Sequence, residues 1–261
     1  MTAARIFFVG GLLSFRALFS FLRPAIFVPS MLVAPIFQIL LFVYIGRSAG
    51  LEDDTFYVIG NAIQYAAVPC LFAMTFTIAG ERYQRTLGYL LVSPAPRLPL
   101  FLGRALPVVV NGFLVSAFAL VVGGAIVGVD VPASSYPAIA VAAAASAIGC
   151  TGFGLVSAGI GLLLREQAVL ANILFGLLLV FTGANVPVDE LPGWMQQVSQ
   201  ALPFTHGIEA ARRVAGGDAL ADVAGLLAAE LLVGLAYGVV GFATIRVAER
   251  LSRRHATLER A

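Results

Sequence analysis

Residues 81–97 read ERYQRTLGYLLVSPAPR, a glutamate with Arg82, Arg85 and Arg97 in a stretch that closes on a Ser93-Pro94-Ala95-Pro96 turn. Leu87, Leu90 and Leu91 recur at i, i+3 and i+4, so a short helix here has one apolar face and its arginines on another. Proline disfavours helical geometry in the residue before it, which ends this helix at Ser93. The blocks on either side, 56–80 and 105–128, carry no charged side chain at all. Each is long enough to cross the hydrocarbon core of a bilayer, which takes roughly 20 apolar residues. A compact basic helix is therefore strung between two membrane-length blocks.

The rest of the chain agrees. It has 261 residues, 60% hydrophobic and 11% charged, with a mean hydropathy of +0.95. A soluble domain carries about 25% charged residues, so this composition excludes one and makes the bilayer the solvent. The expected fold is an all-α integral membrane protein with six transmembrane helices, near 24–46, 56–80, 105–128, 137–164, 168–186 and 225–247. All sixteen basic residues are arginines. With six alternating spans and a cytoplasmic N-terminus, thirteen of them fall inside, and only Arg47, Arg212 and Arg213 fall outside. The positive-inside rule selects that orientation, with both termini cytoplasmic. These arginines serve topology and lipid headgroups, so no nucleic-acid partner is implied. Cys70 and Cys150 lie inside spans without disulfide or metal spacing, as small apolar filler.

Three segments stand outside the spans. Residues 1–23 resemble a signal peptide in length, but Arg16 and Arg23 interrupt the apolar run and no small-residue cleavage site follows. Arg5, Arg16 and Arg23 fall within about 20° of each other on a helical wheel, which predicts an interfacial helix. Residues 248–261 form a cytoplasmic tail. In 187–224, Leu191, Trp194, Met195, Val198 and Leu202 repeat at helical spacing, with Asp189 as a cap and Pro192 in the first turn. Pro203 then breaks the pattern, and Thr205 is expected to cap a second short helix through Arg213. Trp194 suits the headgroup level. This outer pair is either an interfacial hairpin or re-entrant; at bilayer depth its irregular backbone needs burial or a cavity. His206 reads as a structural hydrogen-bonder.

Polar groups inside spans mark further candidates. Gln38, Asn61, Gln64, Asn111 and Asn172 read as interhelical hydrogen-bonding groups. Glu230 lies about 10 Å from the outer end of its span. An intramembrane acid is a functional candidate, here for the substrate path; pairing with Arg212 or Arg213 is the structural alternative. Gly149, Gly152, Gly154, Gly159 and Gly161 predict close helix packing in the fourth span.

GERYQRTLGYLLVSPAPR, with the LFLGR that follows, resembles the permease subunits of type-2 ATP-binding-cassette (ABC) exporters, the daunorubicin-resistance/nodulation-type permease family. Gly80, Glu81, Arg82, Thr86, Leu87, Leu90, Leu91, Ser93, Pro94 and Arg97 match its pattern, and Tyr83, Arg85 and Gly88 depart from it. Downstream, Arg165-Glu166-Gln167, a Leu-Pro-x-Trp at Leu191, Pro192 and Trp194, and a Leu-Pro-Phe-Thr at Leu202, Pro203, Phe204 and Thr205 resemble the family in order. The resemblance implies a coupling segment over 81–104. Its Glu81, Arg82, Arg85, Thr86, Leu87, Leu90 and Leu91 would contact a separate cytoplasmic ABC ATPase, two of which serve each complex. It also implies a second permease, identical or related, and an outer gate or re-entrant segment at Leu191, Pro192, Trp194, Pro203, Phe204 and Thr205.

The sequence has no G-x-x-x-x-G-K-[ST] phosphate loop, so the chain is expected to be no enzyme and to bind no cofactor, with ATP and Mg held by the ATPase subunits. Two other classes compete. An ion-gradient-driven secondary transporter leads one to expect an internal repeat, and residues 1–130 and 131–261 have no convincing one. An intramembrane enzyme finds no metal pair or acidic cluster at span depth, the only histidines being His206 and His255. The short N-terminus, without an added soluble domain, favours a hydrophobic or amphiphilic cargo such as a drug, antibiotic or lipid-like molecule. Polysaccharide or glycolipid is the alternative. Arginine-only, Ala/Gly-rich usage points to a bacterial cell (inner) membrane.

Overall fold

The computed structural model describes residue 8 and residues 28–50, 53–83, 97–164 and 166–255, and all regular structure among them is helical. The predicted interfacial helix at 1–23 lies outside the described residues apart from residue 8, as do Arg85, Thr86, Leu87, Leu90 and Leu91.

A π-helical stretch Val28–Val33 runs into α1, Ala34–Ala49, whose first turn holds Pro35. Proline has no N–H to give to the preceding turn and its ring crowds it, in keeping with the widened helix just before. Gly50, at φ 65°, ends α1 by donating its N–H to Gly46 O, a left-handed stop that glycine makes without a Cβ clash. Asp53 then caps α2, Asp54–Gln64, its carboxylate accepting the N–H groups of Thr55 and Phe56. A π-helical segment at Val68–Phe72, containing Pro69, joins α2 to α3, Ala73–Tyr83. Proline has no N–H and its ring crowds the preceding turn, so the helix widens here rather than stopping.

α4 is Arg97–Val127, with Pro107 inside it. The helix thus extends ahead of the expected span window, 105–128. It is described from Arg97 onward and already runs as helix through Pro99 and Gly103. α5 is Tyr136–Gly161 and α6 is Gln167–Phe181. Two short helices follow, α7 (Gly193–Gln200) and α8 (Thr205–Ala215), and then α9, Ala224–His255. α9 continues past 247 into part of the expected tail, because arginines are good helix formers and proline and glycine are absent there.

Among the described residues, five helical stretches are long and apolar enough to cross a membrane: Val28–Ala49, Asp54–Ile78, Pro99–Val127, Ala133–Gly161 and Ala224–Leu251. The fifth expected window is represented by α6, only 15 residues long. At 1.5 Å per residue it spans about 22 Å, against about 30 Å of hydrocarbon. It ends at Phe181, and the chain turns away at Gly183, whose φ is 78°.

α5 occupies the middle, packed against α9, α3, α8 and α4. Its tightest neighbour is α9. A Cβ on Gly152 would strike the backbone of Gly234, and one on Gly241 would strike Leu155. Small residues let helix backbones approach this closely, as the glycine-rich span predicts. Cys70 and Cys150 are buried and unbridged. The outward faces are apolar: Phe37, Leu41 and Ile45 on α1, and Leu232, Leu235 and Val239 on α9, are all exposed. Water would not solvate such faces; lipid does. The protein is a multi-pass membrane protein.

Candidate translocation site

The chemistry concentrates at the end of the bundle marked by Asp54. Here α1 and α2 are tied by Arg47, whose guanidinium donates to both oxygens of Asp54, the closest contact being 2.5 Å. About two to three turns deeper, four carboxamides meet. Gln38 Nε2 donates to Asn61 Oδ1 at 3.0 Å and to Gln64 Oε1 at 2.9 Å. Asn61 Nδ2 donates to Tyr57 O and to Asn185 Oδ1, both at 2.9 Å. Asn61 and Gln64 are fully buried, and Gln64 Nε2 has no hydrogen-bond partner among the described residues. Three of these amides have the interhelical role expected of them. Asn185, from the turn after α6, gave no signal in the sequence, since nothing local foretells that the turn folds back onto α2. Asn111 is buried with its Oδ1 unpartnered among the described residues, and Asn172 bonds within its own helix, to Ala168 O at 2.8 Å.

Beside this cluster stands the mounting of α8. Its N-cap, Phe204, is fully buried with φ 79°, a region that bulky residues rarely occupy. No local side chain caps the helix. Thr205, expected to do so, instead donates its hydroxyl to Ser199 O at 2.7 Å. The cap comes from α9. Glu230 accepts the Phe204 N–H on Oε1 at 2.7 Å and the Gly207 N–H on Oε2 at 3.1 Å. A carboxylate at a helix N-terminus satisfies otherwise orphaned N–H groups and meets the positive end of the helix dipole. Gly207 itself packs against Ser146 so closely that a Cβ would collide with its hydroxyl.

Glu230 is therefore wholly enclosed, and neither arginine considered as its partner pairs with it through a described salt bridge. Arg213 Nε donates to Asp218 Oδ2 at 2.7 Å. Arg212, half-buried, donates to the carbonyl oxygens of Phe56 (3.0 Å), Gly183 (2.8 Å) and Ala184 (3.0 Å). Its guanidinium carbon lies 3.4 Å from the centroid of the Phe56 ring, a cation–π stack.

The remaining segment also departs from local capping rules. Asp189 belongs to a 3₁₀ turn, Val188–Glu190, rather than capping α7, whose N-cap is Pro192. Gln196 Nε2 ties that turn down by donating to Asp189 O and Leu191 O. Trp194 is 64% exposed, its ring edge-on to Phe181 at 5.9 Å. His206 Nε2 lies 3.1 Å from Gln200 O, the structural role expected of it. At the opposite end of the bundle, Glu81 and Arg82 fall in the last turn of α3, and Arg104 donates to Thr77 O at 3.0 Å. No group of three His, Cys, Asp or Glu that could hold a metal occurs among the described residues.

Residues 9–215 match the family described as ABC-2 type transporter, well over half of the chain. The chain belongs to this family. The matched region takes in α1 to α8, the amide cluster and the 81–97 segment. Among curated proteins, the probable multidrug ABC transporter permease YbhR of Escherichia coli, from strain K12 and from O157:H7, is 27% identical over 172 residues. That covers 61% of this chain and 46% of the relative, so the ABC-2 chain matches a little under half of the relative's length.

Proposed function

We propose that this ABC-2 family chain is the membrane-spanning permease subunit of an ATP-driven exporter, working as a pair of permeases above two separate ATPase subunits. The family match over residues 9–215 carries this reading. It includes the stretch in which Arg82, Arg85, Leu87, Leu90 and Leu91 make an arginine-flanked apolar face suited to a groove on a partner. In this reading the 81–97 end is cytoplasmic, the Asp54 end is outward, and α6 makes a sixth crossing. ATP and Mg belong to the partner subunits.

The cargo is a drug, antibiotic or other amphiphilic molecule. The relative's description as a multidrug permease supports that choice, as does a buried site made of amides rather than of fixed charges. Amides hydrogen-bond a varied cargo without demanding a countercharge. Polysaccharide or glycolipid export is the competing reading of the same family.

The test is gentle purification of the tagged chain from its native membrane with mass identification of every partner. An ATPase in 1:1 ratio, lost when Leu87 and Leu90 are both changed to Asp, is the expected result. A stable particle containing this chain alone, unaffected by those changes, overturns the exporter reading in favour of a gradient-driven carrier. A second permease sequence in the particle would mark a heterodimer.

A further inference from the structure

We propose that Cys70 and Cys150 together form an intramembrane binding site for a soft, thiophilic monovalent metal ion of the Cu(I) or Ag(I) class, held between their two sulfurs. Such a site needs only the fold, whichever transport reading holds.

The two cysteines have no metal spacing in the sequence; helix packing is what brings them together. Three contacts fix the register of α5 against the π-helical segment Val68–Phe72 and the start of α3. A Cβ on Gly112 of α4 would strike the Cys70 sulfur and meet Ala147 Cβ at 3.5 Å, so this thiol points into the seam beside Ala147. A Cβ on Gly154 would lie 2.7 Å from Cys70 O and 2.9 Å from Met74 Cβ. Further along, the Thr75 and Ser157 hydroxyl oxygens are 2.8 Å apart. Ala147, Cys150, Gly154 and Ser157 recur at helical spacing on one face of α5. Cys150 therefore falls between the two contacts that bracket Cys70. The Cys70 side chain accordingly stands within hydrogen-bonding reach of the Cys150 thiol. Both residues are fully buried and neither is in a disulfide. They are the two cysteines of the whole chain, and both stand at one spot. Cys70 is also carried by a π-helical turn, a distortion that is frequent at functional sites.

The donor set selects the ion. Zinc takes four ligands, and calcium or magnesium takes six or more oxygens. Neither finds them here. Glu230 is the acid beside Cys150, but its two oxygens already accept the Phe204 and Gly207 N–H groups. What remains is a pair of sulfurs, the soft ligand type that selects Cu(I). Met74, fully buried on the same seam, adds a soft and neutral thioether.

Charge points the same way. As the ion binds, the S–H bond of one thiol breaks, its proton leaves to the medium and its sulfur bonds the metal. The other thiol binds through a lone pair and keeps its proton. No electron is transferred. A monovalent cation with one thiolate is neutral, so no net charge is left in the low-dielectric interior. The bound ion would tie the joint between α2 and α3 to α5.

Silver tests this as a redox-inert probe. The full chain, purified in detergent with its thiols reduced, is incubated with Ag(I) and passed through a column containing free methionine, which strips loosely held ions. Its metal is then counted by mass spectrometry. About one silver per chain should remain, and Cys70→Ala or Cys150→Ala should each lower that retention at least about tenfold. Zn(II) offered in the same way should be lost on the column.

A parent chain that keeps no silver overturns the proposal, as do variants that keep it as the parent does. Zinc retained as well as silver overturns the assignment to a soft ion. If the variants fail to fold, X-ray absorption of the unaltered chain loaded with Cu(I) decides. A first shell made of sulfur alone is expected there, and a shell containing nitrogen or oxygen overturns the site.

Discussion

Glycine sets how near α5 and α9 can come, and through that where Glu230 sits. Gly149 leaves the space that the Glu230 carboxylate fills, and Gly152 meets the Gly234 backbone directly. Methyl groups added at such a contact have nowhere to go, because a backbone carbonyl cannot rotate away as a side chain can. Gly152→Val should therefore destabilise the bundle by about 1–3 kcal/mol, the usual cost of overpacking a filled core. Gly176 on α6 faces open space, and a Cβ added there would meet nothing within 4 Å. Gly176→Ala should stabilise by about 0.5–1 kcal/mol, through helix propensity alone. Thermal unfolding of the two variants in the same detergent checks both signs. An undisturbed Gly152→Val would mean that α5 and α9 do not cross at these glycines.

At the scale of the element, what the sequence discloses and what it hides divide along physical lines. Span positions are legible because hydrocarbon imposes one requirement, a sustained apolar run, and α1 to α5 and α9 meet it. Helix ends and caps are less so. Asp189 and Thr205 are good local caps by composition, yet neither caps its helix; for α8 the task falls to Glu230, from another element. No local rule sees a tertiary cap. The same reason hides Arg212, which reads as an outer-loop arginine and is in fact bonded to three backbone carbonyls. α6 ends at Phe181, short of the expected 186, where Thr182, Gly183 and Asn185 interrupt the apolar run.

The 81–97 segment is the reverse case: its Leu face and arginines are plain in the sequence, and the docking role proposed for them lies outside the described residues. Its test belongs at this scale. Arg82→Glu with Arg85→Glu should leave the unfolding free energy of the bundle within about 0.5 kcal/mol of the parent, as substitutions outside the packed core do. The same change should lower cargo-stimulated ATP hydrolysis and export at least about tenfold, the effect of losing about 1.4 kcal/mol of docking energy. Unchanged stimulated hydrolysis and export in reconstituted vesicles would remove these arginines from the interface.

For the whole molecule, the crossing number decides almost everything else. With α6 as a crossing, the chain passes the membrane six times and both ends lie on one side, so residues 81–97 share a compartment with the end of α9. Without it, the chain passes five times and the two ends are separated. The deficit is about 8 Å of a 30 Å core. A bilayer thins around a short helix at fractions of a kcal/mol per Å, a small cost for a helix that also packs on α5 and α3. The surface of α6 agrees with this, since Val169, Ile173 and Val180 are exposed along nearly its whole length and would be wetted if it lay outside hydrocarbon. Glu166 and Asp189 bracket the helix and are both exposed. Single Cys replacements at the two positions should therefore label from opposite sides of sealed vesicles with a membrane-impermeant thiol reagent, Asp189→Cys from outside and Glu166→Cys only after permeabilisation. Labelling of both from one face would make α6 a re-entrant hairpin arm. It would also put α9 in the opposite sense and leave the arginines around 246–254 facing outward, against the charge bias that orients every other segment of the chain.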